Sequence, residues 1–147
     1  MSVWRGAIPY FSNEELECQG TRIIRLDERF AAALPDLRRR WDSPLYPTSV
    51  CRTPDHNRAV GGHPRSMHLT QNPERGTNGT MAADLAWREW PDDEKLRFAR
   101  LAWSLGWSVG LHDGFVHVDL RTAVGMRQAV FVYGQWSHPF EQHRVTD

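Results

Sequence analysis

The sequence predicts an α+β fold: a small, mainly antiparallel sheet with two longer helices packed on one side. Three observations carry this. Leu26 to Trp41 places Phe30, Leu34, Leu37 and Trp41 at helical spacing, one buried stripe. Pro91 to Leu105 carries a wider apolar face through Leu96, Phe98, Ala99, Leu101, Trp103 and Leu105. Thr80 to Trp87 and Phe115 to Leu120 instead alternate with the period of two that marks a strand.

Taken in order, Ser12 followed by Glu15 has the form of a capping box, opening a short helix over Asn13–Cys18 that Gly20 ends. Pro35 lies inside the Leu26–Trp41 helix, where it kinks or splits it, and Arg38-Arg39-Arg40 is its solvated face. Asp42 to Pro47 reads as a turn, Thr48 to Arg52 as a short strand, and Pro54 to Val60 as a short helix stopped by Gly61-Gly62. Thr70 to Gly79 is a loop by composition. In Thr80–Trp87, Met81, Ala83, Leu85 and Trp87 share one face; Ala82, Asp84 and Ala86 share the other, so the carboxylate has small neighbours. Pro91 and the acidic run Asp92-Asp93-Glu94 suit a helix start, and Gly106 suits the position after its end. In Phe115–Leu120 the valines and leucine face the core, while Phe115, His117 and Asp119 share the opposite face. Ala129 to Trp136 is a final strand, and 137–147 reads as a loose tail.

At 147 residues the chain suits one domain spanning 1–147. Its 18 basic and 18 acidic side chains cancel, which argues against a general electrostatic grip on nucleic acid. There is no basic segment followed by an apolar run at the start and no stretch long enough to span a membrane. The expectation is a protein made in the cytoplasm without a signal peptide. Cys18 and Cys51 lack metal-type spacing and read as a disulfide or as two buried thiols. Of the seven tryptophans, most are assigned to packing and some to a ligand groove.

The chemistry concentrates in two stretches, Cys51–Leu85 and Phe115–Arg121. They offer His68, Asp84 and His117, and two imidazoles with one carboxylate are a catalytic zinc donor set if the stretches meet.

The run Cys-Arg52-Thr-Pro-Asp-His-Asn57-Arg-Ala-Val-Gly61-Gly62, then Ser66-Met-His68, Ala82-Ala-Asp84 and His117-Val-Asp119, resembles the D-alanyl-D-alanine carboxypeptidase-like zinc peptidases. These peptidoglycan peptidases are related in fold to the hedgehog amino-terminal domain, and the likeness is to phage-type members. Phe11-Ser-x-x-Glu15-Leu resembles the family's start, so the likeness spans about residues 10 to 133. It implies zinc on His68, Asp84 and His117, a substrate or oxyanion contact at Arg52, and support of the first ligand by Ser66. It also implies metal-assisted amide hydrolysis, in which zinc activates a water and a carboxylate passes its proton to the leaving amine. The implied substrates are peptidoglycan stem peptides, cut by a D,D-carboxypeptidase or an endolysin-like endopeptidase at the cell wall, after release or from a virion. A non-catalytic zinc-holding component of a phage particle, with other virion proteins as partners, is the rival.

Two departures stand out. Fifteen residues, 69 to 83, separate His68 from Asp84, where relatives have a shorter segment. The excess is the Thr70–Gly79 loop, expected to bulge outward as a wall of the cleft, since closure cost grows slowly with length. Relatives place the general base three residues before the last histidine, where this chain has Gly114. Asp113 is the expected base and Asp119 the alternative; a turn role in His112-Asp-Gly114 competes for Asp113. His56, His63 and His112 are expected near the motifs without being ligands.

Overall fold

The structure is a computed structural model that describes residues 3–137 and 139–147. Strand β1 (Val3–Trp4) pairs antiparallel with β2 (Leu26–Asp27) in a two-stranded ribbon. Between them lies α1 (Asn13–Leu16), opened by the expected reciprocal capping box of Ser12 and Glu15. The first long helix, α2 (Glu28–Trp41), starts two residues later than expected, because Leu26 and Asp27 are taken by the ribbon and the Asp27 carboxylate caps Arg29 N. Pro35 is accommodated inside α2 without splitting it.

The main sheet has strand order β3 (Pro47–Ser49), β4 (Ala82–Ala86), β6 (Phe115–Asp119), β5 (Ser108–Leu111), β7 (Val130–Val132). All neighbours are antiparallel except β5 and β7, which run parallel. Strand β5 escapes the sequence reading because Ser-Val-Gly-Leu is too short to show an alternation. The final strand is shorter than Ala129–Trp136: Gly134 takes a φ of +70° and turns the chain, and Gln135 O then accepts from Asp113 N. Helix α3 (Pro54–Ala59) is capped by Thr53, and α4 (Asp92–Ser104) ends at Gly106, whose φ is +97°.

Ala83, Leu85, Val109, Leu111, Val116 and Val118 turn into one core with Phe30, Leu34, Leu37, Phe98 and Ala102 of the long helices. Burial of this apolar surface is the main force holding helices to sheet. Most of the tryptophans serve that core, Trp4 being exposed: Trp87 and Trp107 are buried, and Trp41 stacks on Trp90 and meets Phe98 edge-on. Cys18 and Cys51 are free thiols, both buried.

The expected loose tail is packed instead. Phe140 and Val145 are buried, α5 (His143–Thr146) contacts α4, and Arg100 Nε donates to Arg144 O at 2.6 Å. The apolar side chains at 140 and 145 supply the burial that the polar composition around them concealed; His138 lies outside the described residues. No helix among the described residues is long and apolar enough to cross a membrane.

Candidate metal centre

Pairing register brings two of the three implied ligands together. Asp84 on β4 lies directly opposite His117 on β6, on the sheet face away from the valines. The third arrives from the irregular segment before the loop. Arg52 N donates to His68 O and Thr70 N to Arg52 O, both at 2.9 Å, so this segment is laced to the chain following β3. Ser66 Oγ accepts from His68 N at 3.1 Å, which fixes the approach of the histidine. The long excursion between His68 and Asp84 closes on itself as well: Thr80 Oγ1 donates to His68 O at 2.8 Å, and Met81 N to Met67 O at 3.0 Å. The insertion thus leaves and returns at fixed points, as expected.

His68, Asp84 and His117 each present one donor atom within 4.8 Å of the others, and all three are buried. Asp84 Oδ1 lies 3.2 Å from His68 Nε2 and 3.1 Å from His117 Nδ1. The remaining ring nitrogens are also engaged. His68 Nδ1 is 2.8 Å from Val50 O, and His117 Nε2 is 2.8 Å from Asp119 Oδ2. Donation to those oxygens leaves Nε2 of His68 and Nδ1 of His117 as lone pairs aimed at the same spot as Asp84, the tautomers that metal ligation needs. Zinc bonds of about 2.0–2.2 Å put neighbouring tetrahedral ligands roughly 3.3 Å apart, close to the separations found here. Two imidazoles and a carboxylate are a zinc donor set, so the residues fit the metal.

Electrostatics support the same conclusion. Burial by itself favours the neutral acid at Asp84, but the charges and hydrogen bonds of His68 and His117 outweigh it and hold the carboxyl far below its ordinary range. Burial disfavours a charged His117, yet hydrogen bonds to Asp119 and Asp84 raise it from 6.5 to about 9. In the metal-free protein a proton is therefore held where a cation belongs.

Arg52 lines the cavity beside the cluster, with Nη2 4.0 Å from Asp84 Oδ2 and Nη1 3.1 Å from Asn57 Oδ1. A Cβ at Gly62 would collide with Asn57 Oδ1 and lie 2.8 Å from Arg52 Nη1, so Gly62 clears room for this arginine. The cavity is about 250 Å³.

Of the two expected bases, Asp113 lies in another groove and Asp119 lines the cavity. The Asp113 carboxylate accepts from Ser137 N and Ser137 Oγ and lines a separate groove with Arg88 and Lys95. Those hydrogen bonds from Ser137 keep it below the usual carboxylate range. At Gly114 the Arg88 guanidinium packs where a side chain would begin. Asp119 does reach the cavity wall, but it is fully buried and accepts from Arg121 N, Nε and Nη2 as well as from His117. Burial would raise it; the His117 and Arg121 bonds outweigh that and hold it strongly depressed. Asp119 orients His117 and is saturated as an acceptor.

Among the groups lining the cavity, sequence reasoning missed Arg75, Arg121, Phe131 and Tyr133, besides Arg65 and two methionines. Tyr133 stacks on His117 with planes 8° apart, and Phe131 flanks the same ring. Only Arg121 had a usable signal, its spacing of two from Asp119. Of the other histidines, His63 lines the cavity, with Nδ1 accepting from Arg65 N, and His112 stacks on Phe115; neither joins the cluster.

A family model described as Peptidase M15 matches residues 9–119. The chain belongs to the Peptidase M15 family. M15 peptidases are zinc-dependent metallopeptidases related to D-Ala-D-Ala carboxypeptidases, and the buried triad is the group able to hold that zinc. The match begins just before the α1 capping box and ends at Asp119, so His68, Asp84 and His117 all fall inside it. Searches of curated proteins and of solved structures gave no match.

Proposed function

We propose that this M15 protein hydrolyses peptide bonds of peptidoglycan stem peptides, as a D,D-carboxypeptidase or an endopeptidase, in endolysin-like cell-wall lysis. The carrying observation is the convergence of His68 Nε2, His117 Nδ1 and Asp84 on one point at the floor of an open cavity. Bound zinc supplies a Lewis acid that acidifies a water and polarises the scissile carbonyl. The chain's own residues do the rest. Val50 O and Asp119 hold the two imidazoles in the ligating tautomer. Arg52 directs its guanidinium toward the cavity, where negative charge on the carbonyl oxygen develops. Tyr133 and Phe131 shield the His117 ring and shape an apolar wall for the peptide.

Metal analysis and wall digestion test the reading together. The purified protein should carry about one zinc per chain. It releases free D-alanine from stem pentapeptides if it is a carboxypeptidase, or new amino ends within cross-links if an endopeptidase; His68→Ala loses both zinc and turnover. Absence of zinc, or activity that survives His68→Ala, sinks the proposal. A phage role puts its action at the cell wall after release, or in a virion; detection of the protein in purified particles separates these.

One observation favours a second reading, a non-catalytic zinc-holding structural or wall-binding component of a phage particle. Neither Asp113 nor Asp119 supplies a free carboxylate to the cavity. Stoichiometric zinc with no cleavage of any wall peptide supports this reading over the first.

A further inference from the structure

Four arginines line the cavity: Arg52, Arg65, Arg75 and Arg121. Three have acceptors. Arg52 engages Asn57 and approaches Asp84, Arg121 forks onto Asp119, and Arg65 reaches Glu74 at 3.8 Å. Arg75 differs. Its Nε is buried with no hydrogen-bond partner, and Nη1 meets only the thioether of Met126, at 3.1 Å. A thioether is a weak acceptor, and a buried guanidinium N–H without a strong one is costly. No carboxylate lies within ion-pair distance of Arg75 among the described residues.

Arg75 is not on a random loop. It ends the 3-10 turn Pro73–Arg75 inside the Thr70–Gly79 insertion, and Gly76 follows at φ +74°. Asn72, itself buried, anchors that turn: its Nδ2 donates to Arg65 O and Ser66 O, two residues from ligand His68. The insertion is thereby fastened to the segment carrying the first ligand, and its one inward cation is held over the same cavity.

We propose that Arg75 is a specificity determinant that receives a carboxylate of the bound peptide, making this an enzyme for acidic rather than amidated stem peptides. The inference rests on the peptidase reading for the identity of the ligand. The planar fork of arginine suits bidentate capture of a carboxylate, and the cavity's other carboxylates, Asp84 and Asp119, are already committed. The ligand must therefore bring the anion.

The test is calorimetric titration of the zinc-loaded protein with a synthetic stem peptide bearing free carboxylates and with its fully amidated twin. The expected result is a preference of about tenfold or more for the acidic peptide in the wild type. Arg75→Gln abolishes the preference by weakening only acidic-peptide binding, with zinc content unchanged, and Arg75→Lys keeps part of it. A preference that survives Arg75→Gln, no preference in the wild type, or binding of neither peptide overturns the assignment. Cleavage assays on the same samples separate the two ideas. Arg75-dependent preference without cleavage keeps the carboxylate site and removes the peptidase reading, whereas cleavage with Arg75-independent preference does the reverse.

Discussion

Asp119 Oδ2 lies 2.8 Å from His117 Nε2, two residues further along the same face of β6. The pair makes a carboxylate–histidine relay behind the metal position, and Arg121 clamps the carboxylate from the far side. Asp119 thus acts on the metal through the imidazole. Asp119→Asn preserves shape but lets the amide present the wrong group to Nε2. Zinc affinity should fall about 10- to 100-fold, with the secondary structure unchanged. Competition with a chromogenic chelator measures this; an unaltered affinity removes the orienting role.

Protonation of His117 gives zinc binding a pH signature. Its folded value of about 9 exceeds the ordinary 6.5, so a proton must leave before Nδ1 can ligate. Apparent zinc affinity should rise with pH up to about 9 and then flatten, and uptake should release protons detectable by buffer-dependent calorimetry. Stability of the metal-free protein follows from the same shift. The raised His117 contributes stability that is fully present below pH 6.5 and lost as pH rises through about 9. Asp84 and Asp119, both depressed, contribute stability present above their ordinary 3.8 and lost as pH falls below it. Urea melts in chelator across roughly pH 2 to 10 should show a plateau bounded on both sides. A monotonic profile contradicts the assignment.

Gly110 is required by packing. A Cβ there would lie 2.6 Å from the Phe131 ring and 3.1 Å from His117 Cβ. Gly110→Ala should cost about 1–3 kcal/mol by overpacking and displace the ring beside His117. Thermal melts and zinc titration of the variant check both effects; a variant as stable as wild type shows that the ring moves freely.

Arg52→Lys keeps a charge and loses the fork that spans Asn57 and the cavity. If Arg52 meets the developing oxyanion, kcat on wall peptides should drop about 10²- to 10³-fold while zinc content stays whole. A change confined to KM reassigns Arg52 to ground-state substrate binding.

The C-terminal segment carries part of the core. Phe140 is buried and meets Trp136 edge-on at 5.1 Å, so Phe140→Ala should destabilise by about 3–5 kcal/mol. Denaturant unfolding decides; a loss below about 1 kcal/mol would mean the segment is dispensable.

Much of this protein was legible in its residues, for local reasons. Alternation in Thr80–Trp87 and Phe115–Leu120 assigned Asp84 and His117 to the polar face of two strands, because a side chain's face depends only on parity. Capping residues and glycines marked α1, α3 and α4 within one or two positions at most ends. Strand β5, the early end of β7 and the pairing of the two were not legible, since four residues around a glycine carry too little pattern and a parallel edge pairing leaves no local trace.

The site divides along the same line. The sequence by itself pointed to the side chains that can bind a metal: two imidazoles and a carboxylate in family-like motifs, with Ser66 and Arg52 beside them, despite the longer His68–Asp84 gap. Tertiary structure alone decided what each neighbouring acid does. In one dimension Asp113 is the expected base and Asp119 the alternative, because both stand close to His117 in the chain. In three dimensions Ser137 draws Asp113 into another groove, and Arg121 locks Asp119 behind the imidazole. The same holds for Arg75. Composition shows only a loop, whereas the fold puts this arginine in the cavity lining with its Nε unpartnered. The physical reason is that a residue's chemistry is intrinsic, while its protonation, partners and direction are set by contacts between segments far apart in sequence.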